Sequence, residues 1–404
     1  MSKEQSNQTK GKGGGKPPST PTIIKAQHYW TISYEGRKNE VTGNIEYRII
    51  GEAVWKIVDD NFVNSLWCNL NKSGITCSVS LIWTMLNSDF LPTHHPFREY
   101  FQSLPQHDDQ DYIGQLADSI QTTAVERWRE CLTKWLVAFV ASGIDDDVIN
   151  HTAIILCGSQ GVGKTTWLVK LVPKALFKYY YSGTINPNNK DTLVYLAENI
   201  LIILDELENL NRTELGSVKE IITKPSIKVR RPYGRTSEHL PHRASFVGSV
   251  NNFEFLSDTT GNRRFLCFEV SEIDFKHNID MDKVYAQALH LLNTGYQYWF
   301  TQEEAKQITQ ANEQFRLRSM EEDLLRTYFE PCATADADLY LSTTGLAQWF
   351  QEKGLLTPNT GTNKRLGQAL RLIGFERVTK GDRKVYALRQ KDLEMVYYDT
   401  KIPA

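Results

Sequence analysis

The sequence predicts an α/β fold, a parallel sheet flanked by helices, with a helical region before it and a small helix-turn-helix and hairpin unit after it. Three observations predict the core. A glycine-rich loop, Gly158-Ser-Gln-Gly-Val-Gly-Lys-Thr165, joins the apolar run 153–156 to a helical pattern over 165–171 that Pro173 closes. A second apolar run, 201–204, ends in Asp205-Glu206, and a third, 246–250, ends in Asn251. A fourth, 265–270, follows Arg263-Arg264. Short runs that are apolar throughout suit parallel strands covered on both faces.

The residue types in the loop point to a triphosphate. Closely spaced backbone N–H donors can wrap phosphates only where side chains do not obstruct them, which is the use of Gly158, Gly161 and Gly163. The loop residues Ser159, Gln160 and Val162 and the following Thr166 complete the expected ATP-binding stretch. Lys164 is placed to reach the β- and γ-phosphates and the Thr165 hydroxyl to bind Mg2+. Asp205, at the end of a buried strand, supports the same Mg2+, while Glu206 polarises the attacking water. Asn251 can orient that water or sense the γ-phosphate, although Asn252 adjoins it and either could cap a turn. Arg263 and Arg264, just before an apolar strand, suit a finger that reaches a neighbouring subunit's γ-phosphate, by analogy with other nucleotide hydrolases.

Several stretches resemble the virulence-associated E family: Asn189-Lys-Asp-Thr-Leu, Asp205-Glu206-Leu207, Arg231-Pro-Tyr-Gly-Arg235, and Phe255-Leu-Ser-Asp-Thr-Thr-Gly-Asn-Arg-Arg-Phe265. The similarity spans about residues 96–270. Members are P-loop ATPases of phages and mobile elements, related to superfamily 3 replicative helicases of the AAA+ class. The resemblance implies a homo-oligomeric ring, a hexamer, that hydrolyses ATP between subunits and translocates on DNA. It makes Gly163, Lys164 and Thr165 nucleotide ligands, Asp205 and Glu206 the acidic pair and Asn251 the sensor. It also prefers Arg264 over Arg263 as the finger. Related helicases carry a basic hairpin between the acidic pair and the sensor. Residues 226–237 are expected to form it, with Lys228, Arg230 and Arg231 on phosphates and Tyr233 stacking on single-stranded DNA.

Composition sets limits on partners. The 404 residues carry 46 basic and 48 acidic side chains, a net charge of -2, so any DNA site must be local. The six cysteines include no C-x-x-C pair, and the histidines do not cluster with carboxylates, so reduced thiols in a cytoplasmic protein and no structural metal are expected. No apolar stretch is long enough to span a bilayer, and the amino terminus has no secretory signal.

Six parts are expected along the chain. Residues 1–22 form a disordered basic tail, 23–95 an α+β accessory domain, and 96–150 a helical collar. Residues 151–300 form the ATPase domain, 301–335 a helical linker, and 336–404 a winged helix. Alternating strands are expected over 29–50 with a hairpin glycine at Gly43, then helices over 52–60 and 78–86. Asp145-Asp-Asp147 reads as a surface loop rather than a primase metal site. The stretch before Phe97 looks too short for a complete primase, so a separate priming protein is expected.

The carboxyl-terminal pattern is helix 343–353, helix 363–373, and strands 375–378 and 385–388 joined at Lys380-Gly-Asp-Arg383. From Leu339 to Lys391 there are ten basic side chains against three acidic ones, which favours duplex DNA as the partner. Lys364, Arg365 and Arg371 are expected on the recognition helix and Arg383 and Lys384 on the wing. Together these features predict an ATP-dependent replicative helicase or initiator-helicase of a mobile element. The alternative is a DNA-binding ATPase switch or loader that unwinds nothing. A P-loop small-molecule kinase has no use for the winged helix or the basic hairpin.

Overall fold

In the central sheet, alternation along each apolar run divides the side chains between two cores. The computed structural model describes residues 20–185, 189–229, 237–257 and 261–391. Its central strands, labelled in chain order, are β1 (Ala153–Cys157), β2 (Tyr180–Ser182), β3 (Leu201–Leu204), β4 (Ser245–Val250) and β5 (Phe265–Glu269). They lie in the order β5-β1-β4-β3-β2 and every pairing is parallel. Ile154, Leu156, Leu201 and Ile203 face one core, and Ala153, Ile155, Ile202 and Leu204 face the other. A sheet covered on both faces needs no polar side, which is why the runs read as continuously apolar.

Helix α1 (Val125–Ile144) packs under one face. Trp128, Leu132, Trp135 and Phe139 are fully buried there, and the Trp135 indole donates to the Phe246 carbonyl of β4 at 3.1 Å. A mostly apolar helix can be buried nearly all round if its cations are paired. Lys134, 5% exposed, meets both Glu130 and Glu304. Helix α2 (Lys164–Lys170) follows β1 directly and ends before Pro173. The Asp145-Asp-Asp147 stretch is a loop, where Asp146 pairs with Arg98 and Arg243.

The amino-terminal region departs from the expected pattern in two places. Thr22–Ser33 is a helix, so the first strand begins only at Tyr34. Its Ala26 and Trp30 are buried at 4-residue spacing, a helical period that the aromatic-rich sequence hid. Residues 52–60 hold a short strand, Lys56–Ile57, and the helix starts later, at Asp60, capped by Asp59. The hairpin Tyr34–Asn39 with Ile45–Ile49 does turn at Gly43, which has φ 73°.

Within the expected helical linker, residues 302–328 hold two helices. A short 3-10 turn, Asn312–Phe315, ends the first, and α3 (Met320–Tyr328) begins the carboxyl-terminal unit. Next come α4 (Thr343–Glu352), α5 (Thr362–Ile373), and a hairpin of Arg377–Lys380 with Arg383–Gln390 that turns at Gly381, φ 58°. A third strand that the sequence reading omitted, Leu339–Leu341, pairs with Arg383–Gln390. This unit has its own core of Leu346, Phe350, Leu366, Leu370, Tyr386 and Leu388.

Between the two parts, Arg316 donates two hydrogen bonds to Glu322, at 2.7 and 2.6 Å, and both side chains are buried. Burial alone would raise the Glu322 carboxyl, but hydrogen bonds from Arg316 and Arg326 outweigh it and hold the group below its ordinary value. Arg316→Ala would leave a buried carboxylate without its main partner, at a cost of about 3–5 kcal/mol. Denaturant unfolding checks this, and a loss below about 1 kcal/mol would mean that the pair behaves like a surface one.

Candidate functional site

The loop after β1 closes on itself through Lys164. Gly161 and Gly163 have φ of 86° and 92°, values that a side chain would strain, and they turn the chain into α2. Lys164 is 5% exposed, and its ammonium donates to the carbonyls of Gly158 and Ser159 at 2.7 and 2.8 Å and to Asn251 Oδ1 at 3.0 Å. Burial pulls its pKa down, against the opposing pull of the Glu208 and Asp205 carboxylates. Thr165 Oγ1 lies 3.3 Å from both oxygens of Asp205. Gly158, Ser159, Gln160, Val162 and Thr166 lie in the loop or the first turn of α2 as expected.

Strand order explains why distant residues meet. Since β4 lies between β1 and β3, Asn251 and Asp205 emerge beside the loop at the carboxyl ends of adjacent strands. Of the two adjacent asparagines, Asn251 reaches the site, whereas the Asn252 side chain accepts from the Glu254 backbone in a turn. Glu206 follows Asp205 with φ 55°, a conformation that costs a non-glycine residue about 1–3 kcal/mol and that clusters at functional sites. Its carboxylate is exposed and accepts from Asn209 at 3.0 Å.

Two residues that the sequence reading did not single out complete the cluster. Ser249 donates its hydroxyl to Asp205 Oδ1. The β4–β3 register, which pairs Gly248 with Leu204, sets these two side by side, so the contact is legible only once strand order is known. Glu208 accepts from both the backbone and the side-chain amide of Asn251, at 3.0 and 2.9 Å, and holds the amide oxygen toward Lys164. Its other oxygen is buried with no partner among the described residues.

The residues fit a metal nucleotide. Among the described residues no cluster of three metal-ligating side chains occurs. One carboxylate, Asp205, and one hydroxyl, Thr165, suit Mg2+, which keeps several waters and takes its remaining ligands from substrate phosphates.

Arg263 and Arg264 lie at the other end of the sheet. They sit on a 3-10 turn, Asn262–Arg264, just before β5, whose first residue Phe265 pairs with Ala153, the first residue of β1. The loop begins after the last residue of β1, roughly 13 Å along the strand. The arginines line a cavity of about 620 Å³ with His151, Tyr298, Trp299 and Phe300. Arg264 Nε is buried with no hydrogen-bond partner among the described residues, and burial followed by the adjacent Arg263 charge lowers the pKa of the side chain.

The family model of the virulence-associated protein E-like domain matches residues 101–317, more than half of the chain. The chain belongs to this family. The virulence-associated E-like match spans the loop, the acidic pair, Asn251 and the arginines. Among solved structures it is similar to the apo structure of the NrS-1 C-terminal region, with 13% identity, a TM-score of 0.50, and coverage of 92% of this chain and 99% of that one. A second, A-form apo structure of that region gives 12% identity and a TM-score of 0.47, covering 92% and 100%. The first likeness shows a shared fold. No curated protein sequence matches the chain.

The expected DNA contacts fare unevenly in this virulence-associated E-like chain. Lys228 is exposed on Ser226–Val229, which pairs antiparallel with Glu238–Pro241, so the second strand lies just beyond the expected bounds of 226–237. Arg230, Arg231 and Tyr233 lie outside the described residues. Lys364 and Arg371 are exposed on α5, and Arg383 and Lys384 are exposed on the hairpin. Arg365 is instead engaged by Glu321 of α3 at 2.7 Å, because its turn of α5 faces that helix. No helix among the described residues is long and apolar enough to cross a membrane, and all six cysteines are free.

Glu206→Gln is expected to keep ATP binding and to lower turnover by about 10²- to 10⁴-fold, the usual contribution of a positioned base. Filter-bound ATP and phosphate release measure the two. Turnover at the wild-type rate would remove Glu206 from its assigned role.

Proposed function

We propose that this protein is an ATP-hydrolysing DNA motor of AAA+ type, a replicative helicase or initiator-helicase of a phage or other mobile element. One observation carries the reading. Lys164, Thr165, Asp205 and Asn251 converge at one end of the sheet while Arg263 and Arg264 wait at the other. Such a site is complete only when a second copy brings its arginines to the first copy's loop, so the working unit is an oligomeric ring, a hexamer by resemblance.

In this reading Lys164 exchanges its loop carbonyls for β- and γ-phosphate oxygens. Thr165 and Asp205 hold Mg2+, which when bound neutralises charge on those oxygens. Glu206 orients the attacking water, and Asn251, held by Glu208, reports the state of the γ-phosphate to β4. Lys228 grips single-stranded DNA in the channel, together with Arg230, Arg231 and Tyr233 of the same sequence stretch. The carboxyl-terminal unit is a winged helix that meets duplex DNA with Lys364, Arg371, Arg383 and Lys384. Its α5 reads DNA without Arg365, which serves as a strut to α3.

Phosphate release with and without single-stranded DNA tests the reading. The motor requires turnover that rises with DNA and fails in Lys164→Ala. Turnover indifferent to DNA would contradict it, and turnover stimulated by DNA without strand separation would favour a switch or loader.

A further inference from the structure

The direction in which a nucleotide must lie follows from strand order. Asp205 and Asn251 both stand on the β4–β3 side of the loop, so the γ-phosphate end points there. The nucleoside end then leaves on the opposite side of β1, where β5 ends and the chain runs on through residues 270–280. That segment is tied to the loop and to α2. Val270 N–H donates to the Cys157 carbonyl at 2.8 Å. The Phe275 ring lies so close over Gly163 that a Cβ there would overlap it. Lys170 donates to the His277 carbonyl at 2.9 Å, and the Trp167 indole to Ser119 Oγ at 2.8 Å.

Beside these contacts is a cavity of about 650 Å³, lined by Tyr112, Ser119, Asp274, His277 and Asn278 among others. The volume is within the usual range for a small-molecule site. His277 contributes an unsatisfied group. Its Nδ1 accepts from the Ile279 N–H at 3.3 Å, so the proton of the neutral ring sits on Nε2. Nε2 is buried and has no partner among the described residues. Burial first, then the nearby Lys170 charge, keeps this ring neutral by lowering its pKa. A buried N–H donor without an acceptor is costly unless a ligand supplies one.

We propose that residues 270–280 form the nucleoside arm of the site, with Phe275 packing against a purine base and His277 Nε2–H donating to an acceptor on the base or its ribose. The inference rests on the reading of the glycine-rich loop as the phosphate site. No group transfer is involved, only recognition of the part of ATP that inorganic polyphosphate lacks.

Calorimetric titration of the full chain with ATP and with inorganic tripolyphosphate, both with Mg2+, separates the two claims. Phe275→Ala is expected to weaken ATP about tenfold more than it weakens tripolyphosphate, the scale of one stacking contact. Phe275→Tyr keeps the ring and should keep ATP affinity. His277→Phe keeps a flat ring without the donor and should weaken ATP alone. Lys164→Ala should weaken both ligands. Equal binding of ATP and tripolyphosphate by the wild type, or ATP affinity untouched by Phe275→Ala and His277→Phe, would overturn the nucleoside arm and spare the phosphate site. A wild type that binds neither ligand would overturn both. Circular dichroism melting of each variant shows whether it is folded, and equal weakening of both ligands by a folded Phe275→Ala would also count against the arm.

Discussion

Lys164→Ala is expected to lower ATP turnover about 10²- to 10³-fold, the cost of removing one preorganised donor from a developing charge. The side chain is a buried cation whose present partners are two backbone carbonyls and the Asn251 amide oxygen. Each of those is a neutral acceptor that a phosphate oxygen outcompetes, since hydrogen bonds between ionised groups are about twice as strong. Alanine removes the donor and leaves the glycine turns intact, so the variant should fold and melt close to wild type. Phosphate release at saturating ATP is the measurement. A rate within about tenfold of wild type, the equivalent of 1.4 kcal/mol, would show that Lys164 does not contact the reacting phosphate.

Arg264→Ala carries the second large effect, about 10³- to 10⁵-fold on turnover if the residue acts as an arginine finger. The position of Arg264, a full strand length from its own chain's loop, makes the effect separable from that of Lys164. In a mixture of Lys164→Ala and Arg264→Ala subunits, some interfaces join an intact loop to an intact arginine, and part of the turnover should return. Two variants that stay inactive when mixed would place the arginine's role within its own subunit or in folding alone. The same pair of experiments with Arg263→Ala decides between the adjacent arginines. The buried Nε, which has no partner among the described residues, favours Arg264, because Arg263 is exposed.

The central sheet was legible because its strands announce themselves twice, as apolar runs and by what stands at their ends. Leu201–Leu204 is buried throughout and could hardly be anything other than an inner strand. The loop was legible because its turns at Gly161 and Gly163 need positive φ, and glycine spacing records that need. Less legible was whatever depends on which strands are neighbours. Ser249 is an unremarkable strand serine until β4 is placed between β1 and β3, and Glu208 is held in the site by its hydrogen bonds to Asn251. Thr22–Ser33 was missed because Trp and Tyr favour strands in isolation, whereas packing of Trp30 on Phe62 and Tyr34 decides the helix. On α5, Lys364 and Arg371 are exposed, while Arg365 pairs with Glu321 on α3, a partner that the local charge pattern does not show. Such pairings come from tertiary packing that no local pattern encodes.

The most direct measurement is strand separation of a forked DNA duplex by the purified protein with ATP and Mg2+, run beside Lys164→Ala. The account requires release of the displaced strand by the wild type, dependent on ATP hydrolysis, and none by the variant. A wild-type protein that hydrolyses ATP in a DNA-dependent way yet leaves the fork paired would contradict the claim that this chain is by itself a helicase.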